Sequence, residues 1–312
     1  VDAFCNYASA LQSLGQTNRA LTLLQKALYF EPDSPDLHWN LSLVALQNGD
    51  MEIGWAEYEW RWKMPTFAHF KREFEQPLWT GEDLRGRRIF IHTEQGFGDN
   101  IQFCRFVPQV ADRGGHVILE CRPELVKLFF SLRGVEKVVP LGSSIPDFDL
   151  QIPLMSLPHL FVSGFEDLPV EIPYLRTPED YTTAFSIEPG PGYKVGLVWS
   201  GSPSRKDNHR RSLSFSDMAP LFEVKGINYF SLQLGDSRQQ LALSDSSAVI
   251  DLANQLHDFC DTAAVIQELD LIISVDTAVL HLAGALAVPA WGLMAQPTGF
   301  LWMNERNDSP WY

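Results

Sequence analysis

The chain has 312 residues, of which 45% are hydrophobic, 20% charged and 12% aromatic. This composition excludes a disordered or coiled-coil protein, and the length suits two domains of ~100–200 residues, with room for a small extra module. The formal net charge is −15. An acidic chain without long Lys/Arg runs lacks the positive surface of a nucleic-acid binder, so we expect no nucleic-acid partner.

The four cysteines are scattered along the chain as Cys5, Cys104, Cys121 and Cys260. They form no C-x-x-C pair and have no histidine at metal spacing, which predicts reduced thiols, no structural zinc and a cytoplasmic location. No signal peptide begins the chain, and Val1 in place of Met indicates that the natural N-terminus lies upstream.

Residues 1–64 predict two helical hairpins, because matching residues recur 34 positions apart. Small residues at the expected helix contacts support the same period, and Pro32 closes the first unit. The pattern resembles the tetratricopeptide repeat. The matching pairs are Gly15 and Gly49, Asn6 and Asn40, Ala8 and Ser42, and Ala20 and Gly54.

Two such repeats do not bury a complete core by themselves, since roughly three or more are needed for stability. Either further repeats precede Val1 or the next domain covers the array. The aromatic residues Trp55, Tyr58, Trp60 and Trp62 favour the second alternative, because large rings are typical of packed interfaces.

Asn6 and Asn40 occupy equivalent positions in the two repeats. Each amide can donate and accept hydrogen bonds, so the pair could bind the backbone of an acceptor peptide. The alternative is a polar residue on a solvated face, and the sequence leaves both open.

A linker without helix or strand periodicity is predicted for 65–88, and an alternation of strands and helices follows it. Alternation of this kind is typical of a parallel sheet. The predicted elements are a strand at 88–92, a loop at 93–99, a helix at 100–111, a strand at 116–121, a helix at 123–132, and strands at 135–141 and 148–152.

A second α/β set begins after the Pro/Gly-rich segment 188–192, which we interpret as an interdomain linker. Two Rossmann-like domains of this kind bind ligands in the cleft between them, at the carboxyl ends of the strands. The predicted strands are 194–199, 227–232, 248–251, 271–275 and 289–294, and the predicted helices are 216–222, 261–268 and 277–286.

The loop between the first strand and helix contains Gly96, Gly98 and Asp99. It lacks the third glycine of a dinucleotide fingerprint and the lysine of a P-loop, so it is a weak phosphate signature. A carboxylate here would repel a phosphate, whereas it could accept a proton from an acceptor hydroxyl. The alternative, a helix-capping role for Asp99, stays open.

In the second set, Ser200 and Ser202 end a strand and lead into 204–212, where four cations fall within seven residues. Arginines suit a diphosphate, although a solvated loop explains the charges equally well when the loop is considered alone.

The segment 270–294 joins a strand, a helix start at Asp276 and Thr277, and another strand, which could direct helix N–H groups at a phosphate. It is also long enough to span a bilayer, but Asp270, His281 and Pro289 interrupt it. A third alternative is a buried βαβ unit in which Asp276 only caps the helix.

Together these motifs resemble the heptosyltransferase-type glycosyltransferases, glycosyltransferase family nine, in their bacterial branch with tetratricopeptide repeats. The resemblance covers about 77–312. The motifs that carry it are 94–99, 196–201, 261–263, 274–278 and 281–285.

The resemblance implies a GT-B fold, α/β with two Rossmann-like domains facing a cleft behind a helical module. We divide the chain into 1–64 for the repeats, 65–188 for the acceptor domain and 189–312 for the nucleotide-sugar domain. The implied reaction is an inverting transfer from a nucleotide-diphosphate sugar, without metal or cofactor.

The resemblance also assigns roles to individual residues, with Asp99 as general base on the acceptor hydroxyl. Asp276, Thr277 and His281 are assigned to the donor's phosphate and ribose. The diphosphate is assigned to Ser200, Ser202, Arg210 and Arg211, and acceptor binding to Gly96, Gly98, Asn6 and Asn40.

Two departures from the family matter. Ala278 stands where heptosyltransferases usually have glycine, which predicts a different phosphate position. The segment 296–302 replaces a Pro-Asp-Trp-Arg-Trp sequence, so an expected Asp and Arg are absent. The chain also ends at Tyr312, where the family continues into a closing segment.

The leading interpretation is a glycosyltransferase that modifies a protein presented by the repeats, by analogy a bacterial surface protein such as flagellin. A repeat adaptor with a decayed transferase domain is the main alternative, motivated by 296–302. A nucleotide-sugar epimerase of the same fold ranks last, because it leaves the repeats without a role.

Overall fold

The computed structural model describes residues 1–179, 181, 191–203, 205, 207–243, 248–304 and 306–312. The predicted linker at 188–192 lies outside these residues except at its last two positions. Ser204 and Lys206 of the predicted basic loop lie outside them as well.

Four α-helices open the chain and pack as two consecutive hairpins. Gly15 and Gly49 lie at the two turns with φ of +71° and +91°, a conformation that glycine adopts without strain. A Cβ on Gly54 would lie 2.6 Å from the Leu46 side chain, so the predicted close helix contact is present. The helices are α1 (Asp2–Ser13), α2 (Thr17–Phe30), α3 (Pro35–Asn48) and α4 (Met51–Tyr58).

The end of this helical module is buried against the rest of the chain through Trp55 and Tyr58. The ring of Trp55 is 1% exposed and lies 5.6 Å from Phe103, 5.8 Å from Phe300 and 6.4 Å from Trp311, between ring centroids. Trp55 and Tyr58 thus pack against later parts of the chain, as expected if the next domain covers the helical module, whereas Trp60 stacks on His38 of α3.

The first sheet is parallel, with the order β3-β2-β1-β4. Short helices cover one face, and the segments around Phe74 and Phe148 cover the other. The strands are β1 (Arg88–His92), β2 (His116–Cys121), β3 (Val135–Pro140) and β4 (Leu150–Pro153), and the α-helices are α5 (Phe97–Phe103), α6 (Val107–Ala111), α7 (Val126–Phe129) and α8 (Leu157–Phe161).

The second sheet is also parallel, with the order β7-β6-β5-β8-β9. Its strands are β5 (Tyr193–Val198), β6 (Ile227–Ser231), β7 (Val249–Asp251), β8 (Leu271–Val275) and β9 (Ala290–Leu293). The α-helices are α9 (Asn208–Arg211), α10 (Gln239–Ala242), α11 (Phe259–Gln267) and α12 (Ala278–Ala285).

All the predicted strands are present, whereas several helices differ from prediction. The helix expected at 100–111 begins at Phe97 and is divided by a 3₁₀ turn at Cys104–Phe106, and the one expected at 216–222 is a 3₁₀ helix at Phe215–Glu223. Pro220 removes a backbone donor from the latter. The predicted linker contains a 3₁₀ helix at Pro65–Phe70.

The strand orders place a switch point in each sheet. The chain runs outward from β1 to β3 and from β5 to β7, then returns to the other side of the first strand. In such sheets the ligand crevice lies at the carboxyl ends of the strands where the direction reverses. Those ends are followed by 93–99 in the first sheet, and by 199–201 and Asp276 in the second.

We predict that Trp55→Ala lowers the free energy of unfolding by ~3–5 kcal/mol, because the deletion leaves a cavity between the helical module and the first sheet. Urea unfolding monitored by circular dichroism measures the change. Tyr29→Ala is the control, since that ring is 83% exposed. Equal losses in the two variants would contradict the packing role of Trp55.

Candidate functional site

The half of the candidate site to which the resemblance assigns the donor, called the donor half below, is the turn from β8 into α12. Thr277 is the residue before the helix, and its hydroxyl lies 2.9 Å from Ser274 Oγ, which fixes the entry of the chain into α12. The helix starts at Ala278, one residue after the predicted start at Thr277, and ends at Ala285, one residue before the predicted end. The N–H groups of Leu280 and His281 donate to the Thr277 carbonyl at 3.1 and 3.4 Å, and a helix N-terminus of this kind favours an anion.

Asp276 is engaged by an arginine rather than free. Arg211 Nη2 donates to the carbonyl oxygen of Asp276 at 2.6 Å and lies 2.5 Å from its Oδ2. His281 Nε2 lies 3.8 Å from Oδ1. Arg211 therefore connects α9 to the start of α12. To bind a diphosphate, the Arg211 guanidinium would have to contact Asp276 and the diphosphate together, or release Asp276.

The end of β5 is clamped by a residue that the sequence did not indicate. The Gln233 side-chain oxygen accepts the N–H groups of Trp199 at 3.0 Å and Ser200 at 2.8 Å, and its amide donates to the Ser200 carbonyl at 3.1 Å. Ser200 is buried, and its hydroxyl bonds Ser212 at 3.2 Å. Ser200 is therefore part of the loop's support.

The basic loop presents fewer available cations than its composition indicates. Arg205 binds Asp207 through two contacts of 3.1 Å, and Arg211 binds Asp276. Arg210 is exposed and forms no ion pair with the described residues, and Ser202 is exposed as well. Arg210 is free of such a pair among these residues, but it is the charge of Arg205 that lies near enough to Asp99 and Asp276 to act on the pKa of Asp99.

The half of the candidate site to which the resemblance assigns the acceptor, called the acceptor half below, is the loop from β1 into α5. Gly96 precedes the helix, and its N–H donates to Asp99 Oδ2 at 3.0 Å. Asp99 thus lies in the first helical turn rather than in the predicted loop, because this hydrogen bond closes the turn. The capping role and the proposed proton-accepting role use different oxygens, since no described residue hydrogen-bonds Oδ1.

The two halves meet at Gly98. A Cβ on Gly98 would lie 3.0 Å from His281 Cδ2 and 3.8 Å from the Ala278 Cα, so α5 packs directly on α12. The structure therefore brings Asp99 together with Asp276, His281 and Arg211.

Asn6 and Asn40 lie on α1 and α3 of the helical module, and no contact described for either reaches the site. Asn6 is exposed. The Asn40 amide donates to the Asp36 carbonyl at 2.8 Å within its own helix.

The charges of the two halves act on each other. Removal from water raises the pKa of Asp99, and the charges of Asp276 and Glu94 raise it further, against the hydrogen bond from Gly96 and the charge of Arg205. Burial lowers the pKa of His281 to about 4. At neutral pH His281 is therefore an uncharged hydrogen-bonding group.

His281 is fixed by the last residues of the chain. Its Nδ1 lies 2.9 Å from the Tyr312 hydroxyl, which also bonds Gln102 of α5, and Trp302 stacks on its ring with centroids 5.0 Å apart. The altered segment 296–302 thus contacts the donor half directly. Tyr312 was not predicted from the sequence, because its partners are distant along the chain.

A cavity of about 740 Å³ lies on the other side of α12, beside β9. Its lining includes Gly284, Trp291, Trp302 and Tyr312, but not Asp99 or Thr277. This cavity is therefore separate from the site that the motifs indicate, although Trp302 and Tyr312 of its lining also contact His281.

No known family model matches the chain. Protein FlbA of Caulobacter vibrioides is 27% identical over 345 residues, which cover 99% of this chain and 56% of that protein. The chain thus spans about half the length of this curated relative.

Among solved structures, the iron-containing dodecameric glycosyltransferase TibC from enterotoxigenic E. coli H10407 aligns with a TM-score of 0.52 and 11% identity, over 73% of this chain and 62% of TibC. E. coli heptosyltransferase WaaC with ADP-2-deoxy-2-fluoro heptose aligns with a TM-score of 0.45 and 14% identity, over 67% and 89%. The fold is that of GT-B-like glycosyltransferases. Two parallel sheets with ligand crevices at their switch points agree with this likeness.

No helix within the described ranges is long and apolar enough to cross a membrane. The same ranges contain no group of three or more His, Cys, Asp or Glu residues that could bind a metal ion, so they do not fit an iron site of that composition.

We predict that Asp99→Asn stabilises the protein at neutral pH. The folded state raises the pKa of this carboxyl, so ionised Asp99 costs stability as the pH rises through the folded pKa. Urea unfolding at pH 7.5 checks the gain, which should shrink toward pH 3.5, where the carboxyl is protonated in both states. A gain that is independent of pH would contradict this account.

We also predict that the protein loses stability as the pH falls from ~6.5 to ~4. Burial lowers the pKa of His92 and of His281 to about 4, so the unfolded chain, with histidine pKa near ~6.5, binds more protons in this window. His92→Gln with His281→Gln should flatten the dependence of the urea midpoint on pH. The exposed His159 supplies the control variant His159→Gln, for which the slope should persist.

Proposed function

We propose that the chain is a glycosyltransferase that moves a sugar from a nucleotide-diphosphate donor to an acceptor hydroxyl. The observation that supports the proposal is the contact of α5 with α12, because Gly98, the residue before Asp99, lies against Ala278 and His281 of α12. A proton acceptor and an anion-binding helix end are the two elements that such a transfer requires.

In the proposed reaction, an acceptor oxygen attacks the anomeric carbon of the donor while the bond to the diphosphate breaks, and Asp99 takes the acceptor proton. A single displacement inverts the anomeric centre. In the proposal, the charge that grows on the diphosphate falls at the N-terminus of α12, near Arg211, which contacts Asp276. We propose that Arg210, the preceding residue of α9, binds the diphosphate as well. Fixed N–H groups and arginines can stabilise this charge without a metal.

We infer an ADP-linked heptose or a related hexose as the donor class. TibC has been solved in complex with ADP-D-beta-D-heptose, and that structure aligns with a TM-score of 0.51 at 11% identity. The uncharged His281 and the hydroxyl of Thr277 are suited to sugar and phosphate oxygens, since both provide short-range hydrogen bonds.

We infer that 1–64 are tetratricopeptide repeats that present a protein acceptor in the cytoplasm of a bacterium. The 34-residue offset between the turns at Gly15 and Gly49 supports the repeat assignment. Asn6 is free to meet a peptide, whereas Asn40 offers only the part of its amide that Asp36 does not occupy. The proposed boundaries of the two sheet domains remain 65–188 and 189–312.

Calorimetric titration against ADP-, GDP-, UDP- and CMP-sugars tests the donor site. We expect one nucleotide class to bind, and Arg210→Ala to weaken binding by roughly tenfold or more, because a charge-assisted hydrogen bond contributes ~1.5–3 kcal/mol. Arg19→Ala on the exposed face of the helical module is the control. Unchanged affinity in Arg210→Ala would remove that residue from the site.

Asp99→Asn tests the base. Transfer should fall by ~10²–10⁴-fold, the usual contribution of a general base, while donor affinity stays within a few-fold. Asp217→Asn, at an exposed 3₁₀ helix start, should leave turnover unchanged. Normal turnover in Asp99→Asn would show that another group accepts the proton.

The second proposed function is a repeat adaptor whose transferase domain binds without catalysis. Two observations favour it: Trp302 of the altered segment packs on His281, and Asp276 occupies Arg211. Absence of binding to all four donor classes would support the adaptor.

A further inference from the structure

The helical module contributes a buried charge network to the acceptor half of the site. Arg61 follows α4 in a 3₁₀ helix and is 0% exposed. Its Nε and Nη2 donate to the Glu94 carboxylate at 3.1 and 2.8 Å, Nη2 also donates to Ser156 Oγ at 2.7 Å, and Nη1 donates to Glu59 Oε1 at 2.6 Å. The two-pronged contact fixes the plane of the Glu94 carboxylate as well as its position.

Glu94 and Gln95 form the start of the loop that carries Asp99. Gln95 has φ of +62°, an unfavourable conformation for a residue with a side chain. Its amide donates to the Tyr58 hydroxyl at 2.7 Å, and its carbonyl accepts from Arg122 at 3.0 Å. Such a conformation persists only where its surroundings determine it, and Tyr58 of the helical module is one of the two groups that do so.

Hydrogen bonds connect this loop to Asp99 in the first turn of α5. Asn100 donates to the carbonyls of Glu94 at 3.0 Å and Gly96 at 2.7 Å, and Gly96 donates to Asp99. A displacement of Glu94 or Gln95 therefore moves the first turn of α5, which contacts α12.

We propose that Arg61 and Tyr58 are positioning residues of the candidate active site, so that the helical module sets the geometry of Asp99 as well as any acceptor contact. The kinetic part of this proposal rests on the proposed transfer reaction. A buried ion pair gives little net stability compared with apolar packing, so stability alone does not explain the pair of Arg61 and Glu94. Its attachment to the strained loop at Gln95 favours a positioning role instead.

Hydrogen–deuterium exchange on the full chain tests the structural part without any substrate. Tyr58→Phe keeps the ring and removes the hydroxyl, and Arg61→Lys keeps the charge and loses the fork. Amides of 94–99 should exchange at least tenfold faster in both variants, while strand β1 keeps its protection. Tyr229→Phe, which removes a buried hydroxyl bonded to Leu221 in the second sheet's domain, and Arg133→Lys at the exposed pair with Asp112 are matched controls. Unchanged exchange in both test variants would overturn the proposal.

Kinetics with the donor that binds test the functional part. In both variants we expect kcat to fall ~10–100-fold with the donor KM changed less than threefold, whereas loss of folded protein alone would scale kcat without moving its pH profile.

Glu94→Gln removes a charge that raises the pKa of Asp99, so the acidic limb of the kcat profile should shift to lower pH. The positioning role would be overturned if the acidic limb of the kcat profile stayed in place in Glu94→Gln and Tyr58→Phe kept the wild-type kcat. If the wild type transfers no sugar from any donor, the proposed function fails, and the exchange result still decides whether the module fixes the loop.

Discussion

The packing of α5 on α12 is the contact on which the site depends. Gly98 leaves room for the His281 ring, so the first turns of two helices from different sheets lie against each other. α5 follows β1 and α12 follows β8, and each of these strands lies beside the switch point of its sheet. Parallel sheets bind ligands at such points. The carboxylate of Asp99 and the N-terminus of α12 therefore come together only because the two halves are in contact.

This contact gathers three carboxylates, and their partners differ. Glu94 is paired with Arg61 and Asp276 with Arg211, in both cases through an arginine from another element. Asp99 has no ion pair among the described residues and receives only the Gly96 N–H. Two of the three charges are therefore compensated by the fold, and the third keeps one oxygen available for chemistry.

The sequence predicted the strands because apolar runs mark them locally. The proposed site residues follow the same local logic, since Ser200 and Asp276 come just after strand ends and Asp99 lies in the helix that follows β1. The break in the helix after Phe103 and the engagement of Arg211 could not be predicted, since they depend on packing between distant segments. Gln233 was detectable in principle as a polar residue just after a buried strand.

The clustering of carboxylates also bears on the choice between transferase and adaptor. Keeping Asp99 ionised beside Glu94 and Asp276 costs stability, and an amide at the same position could accept the Gly96 N–H equally well. A site that only binds an anionic donor would benefit from that neutral group, because a carboxylate repels phosphate. Burial and the charges of Glu94 and Asp276 raise the pKa of Asp99 although the charge of Arg205 opposes them, and perturbed carboxylates of this kind are common among residues that transfer protons. The electrostatics of Asp99 therefore agree better with the proposed transferase than with the adaptor, whereas the packing of Trp302 on His281 is the feature that favours the adaptor.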